Sequence, residues 1–152
     1  MPTRTVETVD ELRELVGQEL GVGGWLEVSQ QRVNAFAEAT GDFQWIHVDV
    51  ERAAKSPFGG TIAHGYLTLS LIPMLSSQIF AVDTPGARLN YGLNKVRFPM
   101  PVRVGARIRA RATLVSLTDV PAGKQLTVAY TIEVEDQPKP ACVAETVVLL
   151  LA

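Results

Sequence analysis

Four residues separate Asp42 from His47, and the pair comes directly after the run Ala39-Thr40-Gly41. A carboxylate and an imidazole on one short loop can hold a single water between them, one group taking a proton and the other giving one. Downstream, Ile62-Ala63-His64-Gly65 opens a long apolar segment. A glycine at a helix N-terminus presents an unencumbered backbone N–H beside the positive end of the helix dipole, where an oxyanion is stabilised. Together these are the parts needed to add water next to a carbonyl and to hold the resulting enolate.

The elements that must position these groups follow from local pattern. Thr8-Val9-Asp10-Glu11 has the form of a capping box and predicts a short helix to about Val16. Gly21, Gly23 and Gly24 break the chain before a short strand from Trp25 to Val28. Ser29 is the expected N-cap of a helix running to Ala39, with Val33, Phe36 and Ala37 on one face. Thr40-Gly41 ends that helix and delivers Asp42 into a loop. Asp49 caps a further short helix over Val50 to Ala54, and Ser56-Pro57-Phe58-Gly59-Gly60 is turn material.

From Ala63 to Phe80 the sequence reads as one helix, apolar nearly all round, which therefore has to be enclosed by protein. Pro73 lies inside it, so a bend or local break is expected there. The period then changes. Arg107, Arg109 and Arg111 alternate with Ile108, Ala110 and Ala112, and residues 126–134 alternate in the same way. Further strands are expected over 141–151 and between Ala87 and Phe98, with Val120 to Lys124 as a hairpin connection. One buried helix followed by long antiparallel strands indicates an α+β domain in which a sheet wraps around that helix.

Composition removes several function classes. The chain of 152 residues is expected to be a single domain, 1–152, large enough to bury a substantial core. A net charge of −2 gives no support to nucleic-acid binding. The N-terminus turns acidic at Glu7, where a signal peptide needs an apolar stretch, and no apolar run reaches membrane-spanning length. The single cysteine, Cys142, fits a reducing cytoplasm and sits in an apolar strand where inert packing is expected. There is no Gly-x-Ser-x-Gly nucleophile motif, and Gly59-Gly60 lacks the spacing of a dinucleotide fingerprint. Asp42, His47, Asp49 and His64 include metal-ligating types, but their spacing matches no metal motif, so no metal is expected. The three arginines read as the solvated face of a strand.

Taken in order, Phe36 to Asp42, Ile46-His47-Val48-Asp49, Phe58 to Gly65 and Val96 to Val102 resemble the MaoC-like, or R-specific enoyl-CoA hydratase, branch of the hot-dog fold. The resemblance implies a single hot-dog domain that reversibly hydrates a trans-2-enoyl thioester to the (R)-3-hydroxyacyl thioester. It places the catalytic pair on Asp42 and His47 and the oxyanion donor on the Gly65 N–H. It implies no cofactor, an acyl-CoA or acyl-carrier-protein thioester as substrate, and a homodimer formed by sheet-edge pairing. Many members carry Asn-Pro where this chain has Gln44-Trp45, so Trp45 is expected to border the acyl pocket. His64, at the mouth of the site, is assigned to substrate binding in a neutral positioning role, and Asp49 to an N-cap. The rivals are a hot-dog thioesterase, which attacks the carbonyl instead, and a non-catalytic acyl-thioester-binding subunit.

Overall fold

The computed structural model describes residues 4–152. Along the chain come β1 (Arg4–Val6), α1 (Val9–Glu14), β2 (Glu19–Val22), β3 (Leu26–Glu27) and α2 (Gln30–Thr40). Two single-turn helices follow, α3 (Trp45–Val48) and α4 (Val50–Ala54), then α5 (Gly65–Ser70) and α6 (Ile72–Ser76). The remainder is strand: β4 (Phe80–Val82), β5 (Arg88–Arg97), β6 (Arg107–Val120), β7 (Gly123–Val134) and β8 (Cys142–Leu151). The main sheet is antiparallel in the order β2-β6-β7-β8-β5, with β3 also paired to β6.

The alternation read in the second half is the alternation of the sheet. Ile108, Ala110, Ala112 and Leu114 are fully enclosed and pair in register with Val134, Ile132, Tyr130 and Val128. They face α5 and α6, whose Leu75, together with Ile79 just beyond, is also fully enclosed. The intervening arginines point outward, as their alternation requires.

Caps behave as local chemistry dictates. Thr8 Oγ1 accepts from the Glu11 N–H, Ser29 Oγ from Arg32 and Asp49 Oδ1 from Arg52, each satisfying an N–H that has no intrahelical partner. At the other end of α2, Gly41 adopts φ 80°, the left-handed conformation that terminates helices and favours glycine.

The apolar segment after Ala63 is broken where Pro73 led one to expect, and it ends short of Phe80. It forms α5 and α6 with a dislocation at Leu71, because Pro73 has no N–H to offer the Leu69 carbonyl one turn earlier. Phe80 belongs to β4, which pairs in parallel with β1 through Arg4–Phe80 and Val6–Val82. Enclosure is also incomplete: Tyr66 is 70 % exposed and Met74 44 %. The strands β1, β2 and β4 were not legible in advance, being short and, for β2, glycine-containing. Their pairing partners are remote in sequence. No helix among the described residues is long and apolar enough to cross a membrane.

Candidate active site

Two chain segments build the site, the exit from α2 and the approach to α5. Gly41 turns the chain so that Asp42 begins a three-residue link to α3. One carboxylate oxygen of Asp42 accepts from the Gln44 N–H at 3.3 Å, an Asx-type contact, and the residue is otherwise exposed. His47 is not on that loop, as the sequence suggested, but on the single turn α3. Gln44, at the N-cap, leaves the turn without a side-chain cap.

The second segment is pinned by the stretch after β5. Ala63 N–H donates to the Val102 carbonyl at 2.7 Å and Val104 N–H to that of Thr61 at 2.9 Å, while Ile62 pairs with Arg103. Ile62 also donates to the Ile46 carbonyl at 3.0 Å. The two segments are thereby tied together, and the Ile62 carbonyl lies 2.7 Å from His47 Nδ1. A carbonyl only accepts, so Nδ1 carries the hydrogen and Nε2 is left as the basic nitrogen. Burial holds the His47 imidazole below its ordinary value of 6.5; the hydrogen bond to Ile62 opposes this, nearby His64 adds to it, and the Asp42 charge opposes it.

His64 is 2 % exposed. Its ring stacks on that of His47, with centroids 3.8 Å apart, and its Nε2 lies 3.0 Å from the Asp42 main-chain carbonyl. Asp42, His47 and His64 each offer a ligand-type atom within 4.8 Å of the others. A metal ion needs both imidazole lone pairs to converge on it. The rings lie only 24° from parallel, so their in-plane lone pairs lie in nearly parallel planes. Polar atoms within 4.8 Å of one another leave room for a bridging water between Asp42 and His47. Asp49, whose carboxylate accepts from Arg52, is a cap and stands outside this cluster.

Gly65 is the first residue of α5, where no preceding carbonyl is available to its N–H. A Cβ here would meet the Phe98 ring at 3.2 Å, a tight contact that the ring or the helix start would have to yield to by a few tenths of an ångström. Three residues that the sequence did not single out complete the arrangement. Gln30 donates to the His47 carbonyl at 2.8 Å and accepts from Thr61 Oγ1 at 2.6 Å, joining α2, α3 and the approach to α5. Phe98 covers Gly65 from the end of β5. Nothing marked Gln30, whereas Thr61 and Phe98 lay within segments already noted, though not for these contacts.

Trp45 is half-buried and carries the Arg52 guanidinium 4.2 Å from its ring centroid. It does not line the large apolar groove, of about 630 Å³, between α5–α6 and strands β5, β7 and β8. Leu69, Ile72, Val128 and Leu150 line that groove, and Ser76 and Tyr130 join across it by a 2.7 Å hydrogen bond. The groove begins at Leu69, one helical turn beyond Gly65, and contains none of Asp42, His47 and His64. Cys142 is fully enclosed, and burial pushes its thiol up to about 11, consistent with inert packing.

Residues 11–136 match the MaoC-like domain family. The 3-hydroxyacyl-thioester dehydratase Z of Mycobacterium tuberculosis is 53 % identical over 150 residues, covering 98 % of this chain and 99 % of that protein. The 3-hydroxybutyryl-CoA dehydratase of Methylorubrum extorquens is 34 % identical over 131 residues, covering 84 % and 80 %. Among solved structures, the (R)-hydratase from A. caviae involved in PHA biosynthesis superposes with a TM-score of 0.71 at 28 % identity, over 89 % of this chain and 96 % of that one. The chain belongs to the MaoC-like domain family and is a hydratase–dehydratase enzyme with the hot-dog fold.

Proposed function

We propose that this enzyme reversibly adds water to a trans-2-enoyl thioester, carried by coenzyme A or an acyl carrier protein, to give the (R)-3-hydroxyacyl thioester. The observation that carries this reading is the commitment of His47 Nδ1–H to the Ile62 carbonyl. It leaves Nε2 free as a base beside the Asp42 carboxylate, with the first N–H groups of α5 directly following His64, whose ring stacks on His47. The relatives named for 3-hydroxyacyl thioesters and for 3-hydroxybutyryl-CoA support the substrate class.

In the forward direction Asp42 and His47 hold one water. As its oxygen bonds to C3, one of the pair takes the water's proton, and that proton, relayed within the pair, is delivered to C2 on the same face. The C2–C3 π pair moves towards the thioester carbonyl, and the Gly65 N–H stabilises the enolate oxygen while that charge is present. The thioester itself activates the alkene, so no cofactor enters. The R stereochemistry comes from the family resemblance. Trp45 and its stacked Arg52 are assigned to the outer part of the thioester, and the groove beyond Leu69 to the acyl tail.

The active form is proposed to be a homodimer paired along β5. That strand is the outer edge of the sheet, and Leu89, Tyr91 and Leu93 on it are 49, 68 and 45 % exposed. An edge of this kind is normally paired or covered. A fully active monomer in sedimentation at working dilution would contradict this assembly.

Crotonyl-CoA tests the reaction. Loss of the conjugated enoyl-thioester absorbance without thiol release is the expected result. Thiol release would mark a thioesterase, and binding without either signal, extended to longer enoyl thioesters, a non-catalytic acyl-binding subunit.

A further inference from the structure

His64 makes contacts that the proposed reaction leaves unused. Its ring lies against His47 on one side and 4.9 Å from Phe36, and it is almost wholly enclosed. Because the Asp42 carbonyl can only accept, the 3.0 Å contact requires that His64 Nε2 carry the hydrogen. The other nitrogen, Nδ1, is buried with no hydrogen-bond partner. Through its own carbonyl, His64 also accepts from Leu67 and Thr68 at 3.0 and 3.2 Å, starting α5 and setting the direction of the adjacent Gly65. One residue thus touches the main chain of Asp42 and the ring of His47, and is bonded to Gly65.

We propose that His64 is a positioning residue for the water-addition step. It donates from Nε2 to the Asp42 carbonyl and packs flat against the His47 imidazole. It thereby holds the carboxylate and His47 Nε2 at the separation one water bridges, and touches no reacting atom itself. The need for such a clamp lies in the local chain. Asp42 follows directly on a left-handed glycine, and its own side chain makes only the long contact to Gln44. Rotation of the peptide after Gly41 would swing the carboxylate away from His47. The Ile62 carbonyl fixes one nitrogen of His47, and the stacked ring of His64 restrains rotation about that bond. The proposal rests on the assignment of Asp42 and His47 as the reacting pair.

His64→Phe keeps a ring against His47 but cannot donate, whereas the side-chain amide of His64→Gln can reach the same carbonyl. With crotonyl-CoA, His64→Phe is expected to lose about tenfold to hundredfold in kcat at nearly unchanged KM, the scale of a small misplacement of reacting groups. His64→Gln should recover much of that loss. A raised KM with unchanged kcat would overturn the proposal in favour of a substrate contact. A loss in His64→Gln as deep as that of His47→Ala would overturn it in favour of direct proton transfer. Equal activity in all forms would remove the role.

Long-range ¹H–¹⁵N NMR of the wild-type histidines decides the contact even if the variants do not fold. The expected tautomers are opposite, Nδ1–H for His47 and Nε2–H for His64, and an Nδ1–H form of His64 would refute the clamp. Wild-type protein inactive towards both short and long enoyl thioesters would overturn the proposed reaction and, with it, the positioning role. The NMR result would then still report whether the Asp42 contact exists.

Discussion

The outer face of β6 and β7 and the corner holding His47 are both rich in polar side chains, but they bond in opposite ways. On the sheet, side chain meets side chain: Arg107 pairs with Glu135 at 2.6 Å, Arg109 with Glu133 at 2.7 Å, and Arg111 with Glu19. In the corner, apart from the Thr61–Gln30 bond, side chain meets main chain: His47 donates to Ile62, His64 to Asp42 and Gln30 to His47. The sheet pairs are partly solvated, and Arg107 remains 53 % exposed. Such pairs contribute little, and each can rearrange without moving the backbone. A buried ring bonded to a carbonyl has its direction set by the fold itself. A candidate site built this way is only as precise as the packing of the segments that supply those carbonyls.

Removing either reacting group tests this contrast most severely. Asp42→Asn or His47→Ala is expected to leave the fold intact and lower hydration by about 10²–10⁴-fold, the usual contribution of a general acid or base. The double variant should lose far less than the product of the two, because both groups act on one water. Near-normal turnover in either folded variant would remove that residue from the mechanism.

Gly65→Ala probes the same corner through its backbone. The new Cβ meets the Phe98 ring at 3.2 Å, so either the ring or the start of α5 must shift. A loss of up to about 10²-fold in kcat is expected, somewhat under the effect of deleting an oxyanion donor. Adding Phe98→Leu should return part of it by relieving the contact. If the second substitution gives no recovery, displacement by Phe98 is not the cause.

Acid separates the two regions by pH. Burial lowers the His47 value, so between 6.5 and its folded value the unfolded chain binds the extra proton. This contribution to stability is present above pH 6.5 and is lost as pH falls through the folded value. Glu133 is lowered chiefly by its hydrogen bond to Arg109, and its contribution is present above the ordinary carboxylate value of 4.5 and lost only on further acidification. The acid limb of kcat/KM should accordingly lie below pH 6.5, and His47→Gln should remove the earlier of the two stability losses. An acid limb above 6.5 would contradict a buried, neutral His47.

The smallest effect belongs to the sheet. Arg107→Gln should change stability by no more than about 1 kcal/mol in thermal unfolding and leave hydration unchanged. A large loss of activity from that variant would show that the outer face communicates with the site.

The parts read correctly from the sequence were those encoded by near neighbours. Ser29 and Asp49 cap the helices expected of them, Gly41 ends α2, and the alternation at Arg107–Arg111 lies on one face of β6. The parts missed depended on distant partners. β1 exists through pairing with β4, some seventy-five residues away. The break at Pro73 was legible, whereas the reach of the helix to Phe80 was overread, because Phe80 leaves it for β4.

For the site, the sequence by itself determined which chemical groups are available and roughly where they begin: Asp42 after a left-handed glycine, His47 close behind it, and Gly65 at the start of a helix. Those features depend on φ preferences, caps and periodicity, which act over a few residues. Tertiary structure alone decided the rest. It brought the Ile62 carbonyl to His47 and so chose the basic nitrogen; it laid His64 on His47, and it set Phe98 over Gly65. These contacts join segments that meet only when the stretch after β5 packs beside the approach to α5, and hydrogen-bond direction and ring stacking have no meaning until they do.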